Sequence, residues 1–243
     1  MADHRIYIGD QDASQAEKLR ITGPEAAHAI RVRRLGPGAP VTLFDGRGRV
    51  LSGEILEAGK RALTVQVRRA TSSDPPQPAV HLRAATAKGE RTDRMLEALS
   101  QLGAASFAPL RTDHSVVHPR DAKLERWRRL AIESAKQCRR AHLMRIEPLL
   151  DLHAALAATS NANERLLLDA SGEPYAPTRR VDEIELFVGP EGGWSEAELD
   201  ACRAAGARLV ALPTHILRIE TAAAAGLAIV LQEQHRLRQR EDA

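Results

Sequence analysis

A glycine-rich turn between a predicted strand and a predicted helix is the first segment that could do chemistry. The run Gly189-Pro190-Glu191-Gly192-Gly193-Trp194 follows the apolar segment 185–188, and Ser195 with Glu198 forms the capping-box pattern that begins a helix. In open α/β sheets this order of elements forms a ligand crevice, where glycines let backbone amides approach a nucleotide. The turn has neither the Gly-Lys-Ser/Thr of a phosphate loop nor the spacing of a dinucleotide fingerprint. Taken alone, it is more typical of a structural corner than of a cofactor loop.

A second strand–loop–helix unit follows directly. Residues 208–212 are predicted to form a strand, residues 213–219 a loop, and Glu220-Thr221 the start of a long Ala-rich helix. Arg218 therefore lies beside the positive end of a helix, where a cation is unfavourable for stability alone. Its position indicates an anionic or electron-rich partner. The alternative is an ion pair with the adjacent Glu220.

The elements that must position these loops fall into two parts. Three prolines and short polar residues at 71–78 predict an extended linker, so we expect a domain at 1–72 and a second at 73–243. In the first part, residues 5–8, 39–44, 50–56 and 62–67 are predicted strands, with a tight hairpin at Asp45-Gly46. Pro24 opens a predicted helix that runs to about Arg34. One helix among short strands suggests a small barrel of a size that suits RNA binding.

The second part alternates strands and helices. Strands are predicted at 80–86, 106–110, 166–168 and 184–188, and helices at 92–102 and 121–143, with Thr92 as a possible cap of the first helix. Alternation of this kind predicts a parallel sheet that is covered by helices on both faces.

Composition and charge limit the class of protein. The only cysteines, Cys138 and Cys202, have no metal-ligand spacing and the nine histidines form no ligand cluster, so we expect a reduced cytoplasmic protein without a metal. We find no signal peptide and no apolar stretch long enough to span a membrane. Residues 120–140 carry eight Lys or Arg against three Asp or Glu. This basic helix favours a polyanion partner and a solvated, ion-paired surface about equally.

The two loops together carry a family resemblance. The run GPEGG, followed by LPTHILRIETAAAAGLA, resembles the signature of the ribosomal RNA small-subunit methyltransferase E family, a uracil-N3 branch of the SPOUT methyltransferases. The segments KGER at 88–91 and ESAKQCRR at 133–140 also match the family pattern, and the first part resembles the family's PUA-like barrel. Arg139 stands where the family usually has Gly, and Pro213, His215 and Ile219 also depart from the usual loop.

The resemblance implies an α/β fold: a trefoil-knotted SPOUT domain with a parallel sheet, preceded by a small PUA-like β-barrel. It also implies a homodimer that binds S-adenosylmethionine and acts on 16S ribosomal RNA or the small ribosomal subunit. The residues that would line the cofactor pocket are Leu168, Gly189, Pro190, Gly192, Leu212, Ile216, Leu217 and Thr221. The residues that would bind RNA are Arg5, His28, Arg34, Lys88, Gln137, Arg139 and Arg140.

The implied reaction is methylation of uracil N3, a poor nucleophile until it loses its proton. We expect Arg218 to stabilise the negative charge that develops on the uracil carbonyls. Either Glu191 or Glu220 could orient Arg218 or accept the proton. Two alternatives are a non-catalytic RNA-binding protein with a degenerate knot and an enzyme that uses the glycine turn for a nucleotide phosphate.

Overall fold

The computed structural model of the 243-residue chain describes residues 4–9, 17–157, 162–213 and 215–241. It divides into two compact units, Met1–Pro75 with Ala135–Leu143, and Pro76–Ser134 with Met144–Ala243. This division differs from the expected continuous second domain because residues 135–143 group with the first unit. Within that unit, Leu143 N donates to Gly46 O at 2.9 Å and Gly48 N donates to Ala141 O at 3.1 Å.

The first unit is a five-stranded sheet with one helix. Its elements are β1 (His4–Tyr7), β2 (Lys18–Thr22), α1 (Gly23–Arg31), β3 (Pro40–Phe44), β4 (Arg49–Ala58) and β5 (Ala62–Ser72). The strand order is β1-β3-β4-β5-β2, with β1 parallel to β3 and the other pairs antiparallel. Alternating buried residues of the strands and two alanines of α1 form its core. The expected helix after Pro24 is confirmed, whereas β2 was not predicted.

The predicted hairpin after β3 is confirmed. The Asp45 carboxylate accepts hydrogen bonds from Arg47 N at 2.7 Å and Arg49 N at 3.1 Å, which closes the turn into β4. Gly46 and Gly48 have φ values of +78° and +108°, a backbone region that favours glycine.

The second unit contains a parallel sheet. Its elements are β6 (Ala79–Ala84), α2 (Arg91–Leu102), β7 (Ser106–Arg111), α3 (Asp121–Cys138, whose last turn belongs to the first unit), β8 (Arg145–Ile146), β9 (Leu150–Asp151), α4 (Leu152–Ala157), β10 (Glu164–Glu173), β11 (Glu183–Val188), α5 (Glu196–Ala204), β12 (Arg208–Val210) and α6 (Ile219–Glu241). The order is β12-β10-β11-β6-β7-β8, with β9 beside β7, and every pair is parallel. The predicted parallel sheet is confirmed.

Two apolar cores cover the sheet. Leu82, Leu166 and Leu186 point into a core that also holds buried residues of α2, α3 and α6. Leu167 and Phe187, which point to the opposite face, pack with residues of α4 and α5. The alternation along each strand explains why β10 and β11 read as continuous apolar runs, since both of their faces are covered.

Several sequence-based boundaries were wrong. Helix α1 ends at Arg31 and not near Arg34, β5 runs to Ser72 into the predicted linker, and β12 ends at Val210 and not at residue 212. Helix α3 ends at Cys138 and not at Leu143, because Arg139 has a left-handed φ of +63°. Thr92 does not cap α2: its buried hydroxyl accepts from Ala87 N and donates to Ala87 O, both at 3.0 Å, and Glu90 holds the cap position. Strand β10 runs well beyond the predicted 166–168.

None of the helices in the described ranges combines the length and the apolar character that a bilayer crossing requires.

Candidate functional site

The candidate site lies beside Leu168 of β10, where the two flanking strands β11 and β12 end. Leu168 of β10 is paired in register with Val188 of β11 on one side and Val210 of β12 on the other. Because parallel strands end at one edge of a sheet, the glycine turn after β11 and the loop after β12 emerge beside Leu168. Helix α6 also packs here, since a Cβ on Gly226 would lie 2.7 Å from Leu168 Cδ1.

The glycine turn is closely packed. Gly193 N donates to Pro190 O at 3.0 Å, and Gly193 adopts a φ of +72°. Trp194 folds back over the turn, where its indole Nε1 donates to Leu168 O at 3.0 Å. A Cβ on Gly189 would lie 2.8 Å from the Trp194 ring, so only glycine fits without displacing the indole. The predicted cofactor residues Gly189 and Pro190 are partly or fully buried, whereas Gly192 is exposed.

Residues 113 and 114, which follow β7, form hydrogen bonds with the glycine turn. His114 Nδ1 lies 3.0 Å from Gly193 O, and Ser195 Oγ donates to Asp113 Oδ2 at 2.7 Å. Glu198, which is 2% exposed, accepts from both Asp113 N and Ser195 N at 2.9 Å. The predicted capping box of Ser195 and Glu198 is confirmed. Sequence reasoning missed Asp113 and His114, because nothing local in the sequence connects them to a turn some eighty residues away.

Helix α5 behind the turn carries Cys202, which is fully buried. Burial, and secondarily the nearby Glu198 carboxylate, raises the pKa of the Cys202 thiol to about 11. The thiol is therefore protonated near neutral pH and serves as an apolar packing group.

Glu191 has a partner other than Arg218. Its carboxylate forms an ion pair with Arg91 Nη1 at 2.9 Å, which connects the glycine turn to the start of α2. The carboxylate is therefore held by Arg91 and not by Arg218.

The loop after β12 is far more open. Leu212 and Leu217 are half-buried, Thr221 is exposed, and Ile216 is 100% exposed. Among the residues that the structure describes, the exposed Arg218 guanidinium has no hydrogen bond and no ion pair, so the alternative pair with Glu220 does not form there. Glu220 Oε2 is buried, and within the same described ranges it has no hydrogen-bond partner.

In the first unit, the predicted RNA-binding residue Arg5 makes contacts that stabilise the fold. Its guanidinium donates from Nη1 to Arg139 O at 3.0 Å and from Nη2 to Arg140 O at 2.9 Å, and it lies 4.8 Å from the centre of the Phe44 ring. Two parallel hydrogen bonds to carbonyls just beyond α3 hold the end of that helix against β1. Arg5 therefore has a packing role whether or not it also touches RNA.

Two other predicted RNA-binding arginines have unusual backbone conformations. Arg34 and Arg139 have φ values of +54° and +63°, and each follows a helix end, α1 and α3 respectively. Arg140 N donates to Ala135 O at 3.1 Å, the bond that closes a helix end of the kind in which glycine is favoured at the left-handed position. This geometry explains why glycine suits the position that Arg139 occupies.

The remaining predicted RNA-binding residues lie in both units. Gln137 is exposed on the last turn of α3, and His28 is half-buried in α1. Lys88 is exposed in the second unit, on the segment that precedes α2. Within the described ranges, no group of three or more His, Cys, Asp or Glu side chains is placed to hold a metal ion.

Comparison with known proteins assigns the chain to a family. Residues 74–231 match the model of an RNA methyltransferase domain, and residues 21–68 match that of an RNA methyltransferase PUA domain. The ribosomal RNA small subunit methyltransferase E of Mycobacterium bovis is 32% identical over 228 residues, which cover 86% of this chain and 84% of the relative. The chain belongs to the ribosomal RNA small subunit methyltransferase E family.

Solved structures of methyltransferases share the fold. The ribosomal RNA small subunit methyltransferase E of Neisseria gonorrhoeae, solved bound to S-adenosyl methionine, superposes with a TM-score of 0.85 at 25% identity and covers 95% of this chain and 98% of its own. A methyltransferase from Legionella pneumophila, solved with bound cofactor SAM, gives 0.83 at 25% identity, over 96% of this chain and 98% of its own. The predicted mixed α/β fold with an N-terminal PUA-like domain is thereby confirmed.

The matched ranges relate the predicted residues to the family's two domains. His28 and Arg34 lie in the range that matches the PUA domain, and both loops of the candidate site lie in the range that matches the methyltransferase domain. Arg5 lies outside both ranges. In this member of the methyltransferase E family, the candidate site is thus contained in the methyltransferase domain.

Proposed function

We propose that this member of the methyltransferase E family methylates N3 of a uridine in 16S ribosomal RNA, with S-adenosylmethionine as the methyl donor. The observation that carries the proposal lies where the loop after β12 runs into α6: within the described residues, the exposed Arg218 guanidinium has no hydrogen bond or ion pair, and Glu220 Oε2 is buried without a partner. A buried polar atom without a hydrogen-bond partner is rare in a folded protein, so Glu220 Oε2 marks this segment as a candidate contact for a bound group. The names of the relatives support ribosomal RNA of the small subunit as the substrate.

The residues present fit S-adenosylmethionine. A nucleoside with an amino-acid tail requires apolar walls, accessible backbone polar groups and a few directed charges. Half-buried Leu212 packs against the core that contains Leu168, and half-buried Leu217 supplies further apolar surface on the same loop. When bound, S-adenosylmethionine supplies an activated methyl group.

Arg218 would act on the base rather than on the methyl donor. Its planar guanidinium presents paired donors that can meet a uracil carbonyl, and uracil acquires negative charge there as N3 loses its proton. Because Arg218 is free of other partners among the described residues, it can be directed at the substrate without breaking an existing contact.

Glu220 is the better of the two candidate proton acceptors. The Glu191 carboxylate is already held by Arg91, whereas Glu220 Oε2 has no partner in the described chain. We therefore assign to Glu220 the acceptance of the N3 proton, directly or through a water molecule. This assignment chooses between the two acceptors that the sequence left open.

Further features of the family resemblance remain part of this proposal. We propose that the loops after β11 and β12 form a trefoil knot, that residues 1–72 and 73–243 act as RNA-binding and methyltransferase domains, and that the protein works in the cytoplasm. We also propose a homodimer, since the fully exposed Ile216 and the half-buried Ile229 and Leu231 of α6 offer apolar surface that a second copy could cover.

Calorimetry and a transfer assay test the proposal together. Titration with S-adenosylhomocysteine should give saturable heat, and small ribosomal subunits that lack the modification should accept a labelled methyl group that mass spectrometry locates on uridine N3. Saturable RNA binding with no heat from S-adenosylhomocysteine would indicate a non-catalytic RNA-binding protein instead.

A further inference from the structure

A cavity of about 530 Å³ lies in the second unit, outside the two loops of the candidate site. Its walls are the segment Ala87–Thr92, the segment Val117–Arg120 and the first two turns of α3. These walls are fixed by hydrogen bonds, since Thr92 Oγ1 binds the Ala87 backbone twice at 3.0 Å and Thr86 Oγ1 donates to Val117 O at 2.9 Å. These bonds tie both loop walls to the second unit.

Cations dominate the rim of this cavity. Arg120, Lys123 and Arg126 line it together with His118, and no acidic residue is part of the lining. The nearby Asp93 binds Arg126 and lies 3.5 Å from Lys123, so one carboxylate is shared between two cations. Among the described residues Arg120 has no ion pair, which leaves a net positive rim.

The interior of the cavity is apolar and is lined mainly by small side chains. Ala87, Val117, Pro119 and Ala122 contribute methyl and methylene groups. Trp127 is 1% exposed, and Lys123 lies 5.6 Å from the centre of its ring, so the indole forms part of the wall and not an open stacking platform. A Cβ built on Gly89 meets nothing within 4 Å, so the backbone at this corner is open to a ligand. The positive rim and the apolar interior together suit a nucleotide whose base or ribose lies inside the cavity and whose phosphate lies at the rim.

The cavity is connected to the candidate site by one residue. Arg91, which lies between the lining residues Gly89 and Thr92, forms the ion pair with Glu191 of the glycine turn. We propose that the cavity receives one phosphorylated nucleotide of the RNA substrate other than the target uridine, with its phosphate on Arg120. This inference rests on the proposed function, because it takes the polyanion to be the RNA that is methylated.

Two variants distinguish binding of a nucleotide inside the cavity from general electrostatic attraction between RNA and the protein surface. Ala122→Leu adds apolar volume on an exposed position of the first turn of α3 and leaves the charge unchanged. Arg120→Ala removes one rim cation. The matched control is Arg203→Ala, which removes an exposed arginine that pairs with Asp200 at 2.9 Å on α5, the helix whose buried residues pack on the other face of the sheet. Circular dichroism and melting temperature should be the same for all three and the wild type.

The measurement is the dissociation constant for small ribosomal subunits from a strain that lacks the gene, taken at several salt concentrations. Ala122→Leu should weaken binding by about tenfold with an unchanged salt slope. Arg120→Ala should weaken it and reduce the slope by about one. Arg203→Ala should leave both unchanged. The affinity for S-adenosylhomocysteine should not change in any variant.

Wild-type RNA affinity in Ala122→Leu would overturn the inference, and so would an equal loss in Arg120→Ala and Arg203→Ala. Saturable ATP binding that Ala122→Leu abolishes without any change in RNA affinity would assign the cavity to a free nucleotide and overturn it as well. If the wild-type protein transfers no methyl group but Ala122→Leu still weakens RNA binding, the proposed function fails while the cavity assignment stands.

Discussion

The glycine turn at residues 189–195 and the loop at residues 211–220 follow β11 and β12, the two strands that flank β10 in the parallel sheet, yet they differ in how their polar groups are satisfied. In the glycine turn, Trp194, Ser195 and Glu191 all have partners within the second unit. In the other loop, the Arg218 guanidinium has none among the described residues, and Glu220 Oε2 is buried without one. The glycine turn is held by contacts within the protein, whereas the second loop presents an exposed guanidinium and a buried carboxylate oxygen that are available to a bound molecule.

The difference indicates that the two loops have different functions. A loop that is held by many internal contacts keeps the same geometry with and without a ligand. A preorganised binding surface requires this rigidity. A loop with unsatisfied charges gains most of its interactions in the complex, so those charges can act on a reacting group. Substitutions in the two loops should therefore affect different measured quantities.

Arg218→Ala should have the largest effect. If Arg218 stabilises charge that appears only in the transition state, the single-turnover rate should fall by about a hundredfold or more, with little change in S-adenosylhomocysteine affinity. Arg218→Lys should restore only part of the rate, because an ammonium lacks the paired planar donors. Near-normal turnover in Arg218→Ala would remove the residue from the chemistry.

Glu220→Gln tests the second unsatisfied group. The amide keeps the shape of the side chain but cannot accept the N3 proton, so the rate of methyl transfer should fall by about a hundredfold. The free protein should not lose stability, because a buried carboxylate oxygen without a partner is replaced by a neutral group. A lower melting temperature with an unchanged rate would show that Glu220 is structural.

Gly189→Ala tests the packed loop. The new Cβ would lie 2.8 Å from the Trp194 ring and displace the indole from Leu168, so S-adenosylhomocysteine should bind about tenfold more weakly. Gly36→Ala is the matched control, because a Cβ there meets nothing within 4 Å. Equal affinity in the two variants would mean that the turn does not shape the pocket.

The smallest effect concerns backbone conformation. Gly193 adopts a φ of +72° without steric cost, whereas Arg34 adopts +54° with a side chain. Arg34→Gly should raise the free energy of unfolding by about 1 kcal/mol, and Arg33→Gly, where φ is not positive, should lower it. Denaturant melts measure both changes. If Arg34 also binds RNA, the stabilised variant should bind the ribosomal subunit more weakly.

The sequence predicted those parts of the site that depend on local patterns. Alternating apolar residues and the Ser195–Glu198 capping box are short-range signals, and the strands, turn and helix that they predict are present. The bonds from Asp113 and His114 to the glycine turn were not predictable, because they depend on how distant segments of the chain fold together. The early end of α3 was missed for another reason, since arginine at Arg139 gives no sign of the left-handed conformation that glycine would signal.

The most direct test of the central claim is to map 3-methyluridine by mass spectrometry in 16S ribosomal RNA from a strain that lacks the gene. The modification should be absent from one uridine in that strain, return when the wild-type gene is restored, and stay absent or strongly reduced with the Arg218→Ala gene expressed at the same level. An unchanged content of 3-methyluridine in the deletion strain would contradict the proposed function.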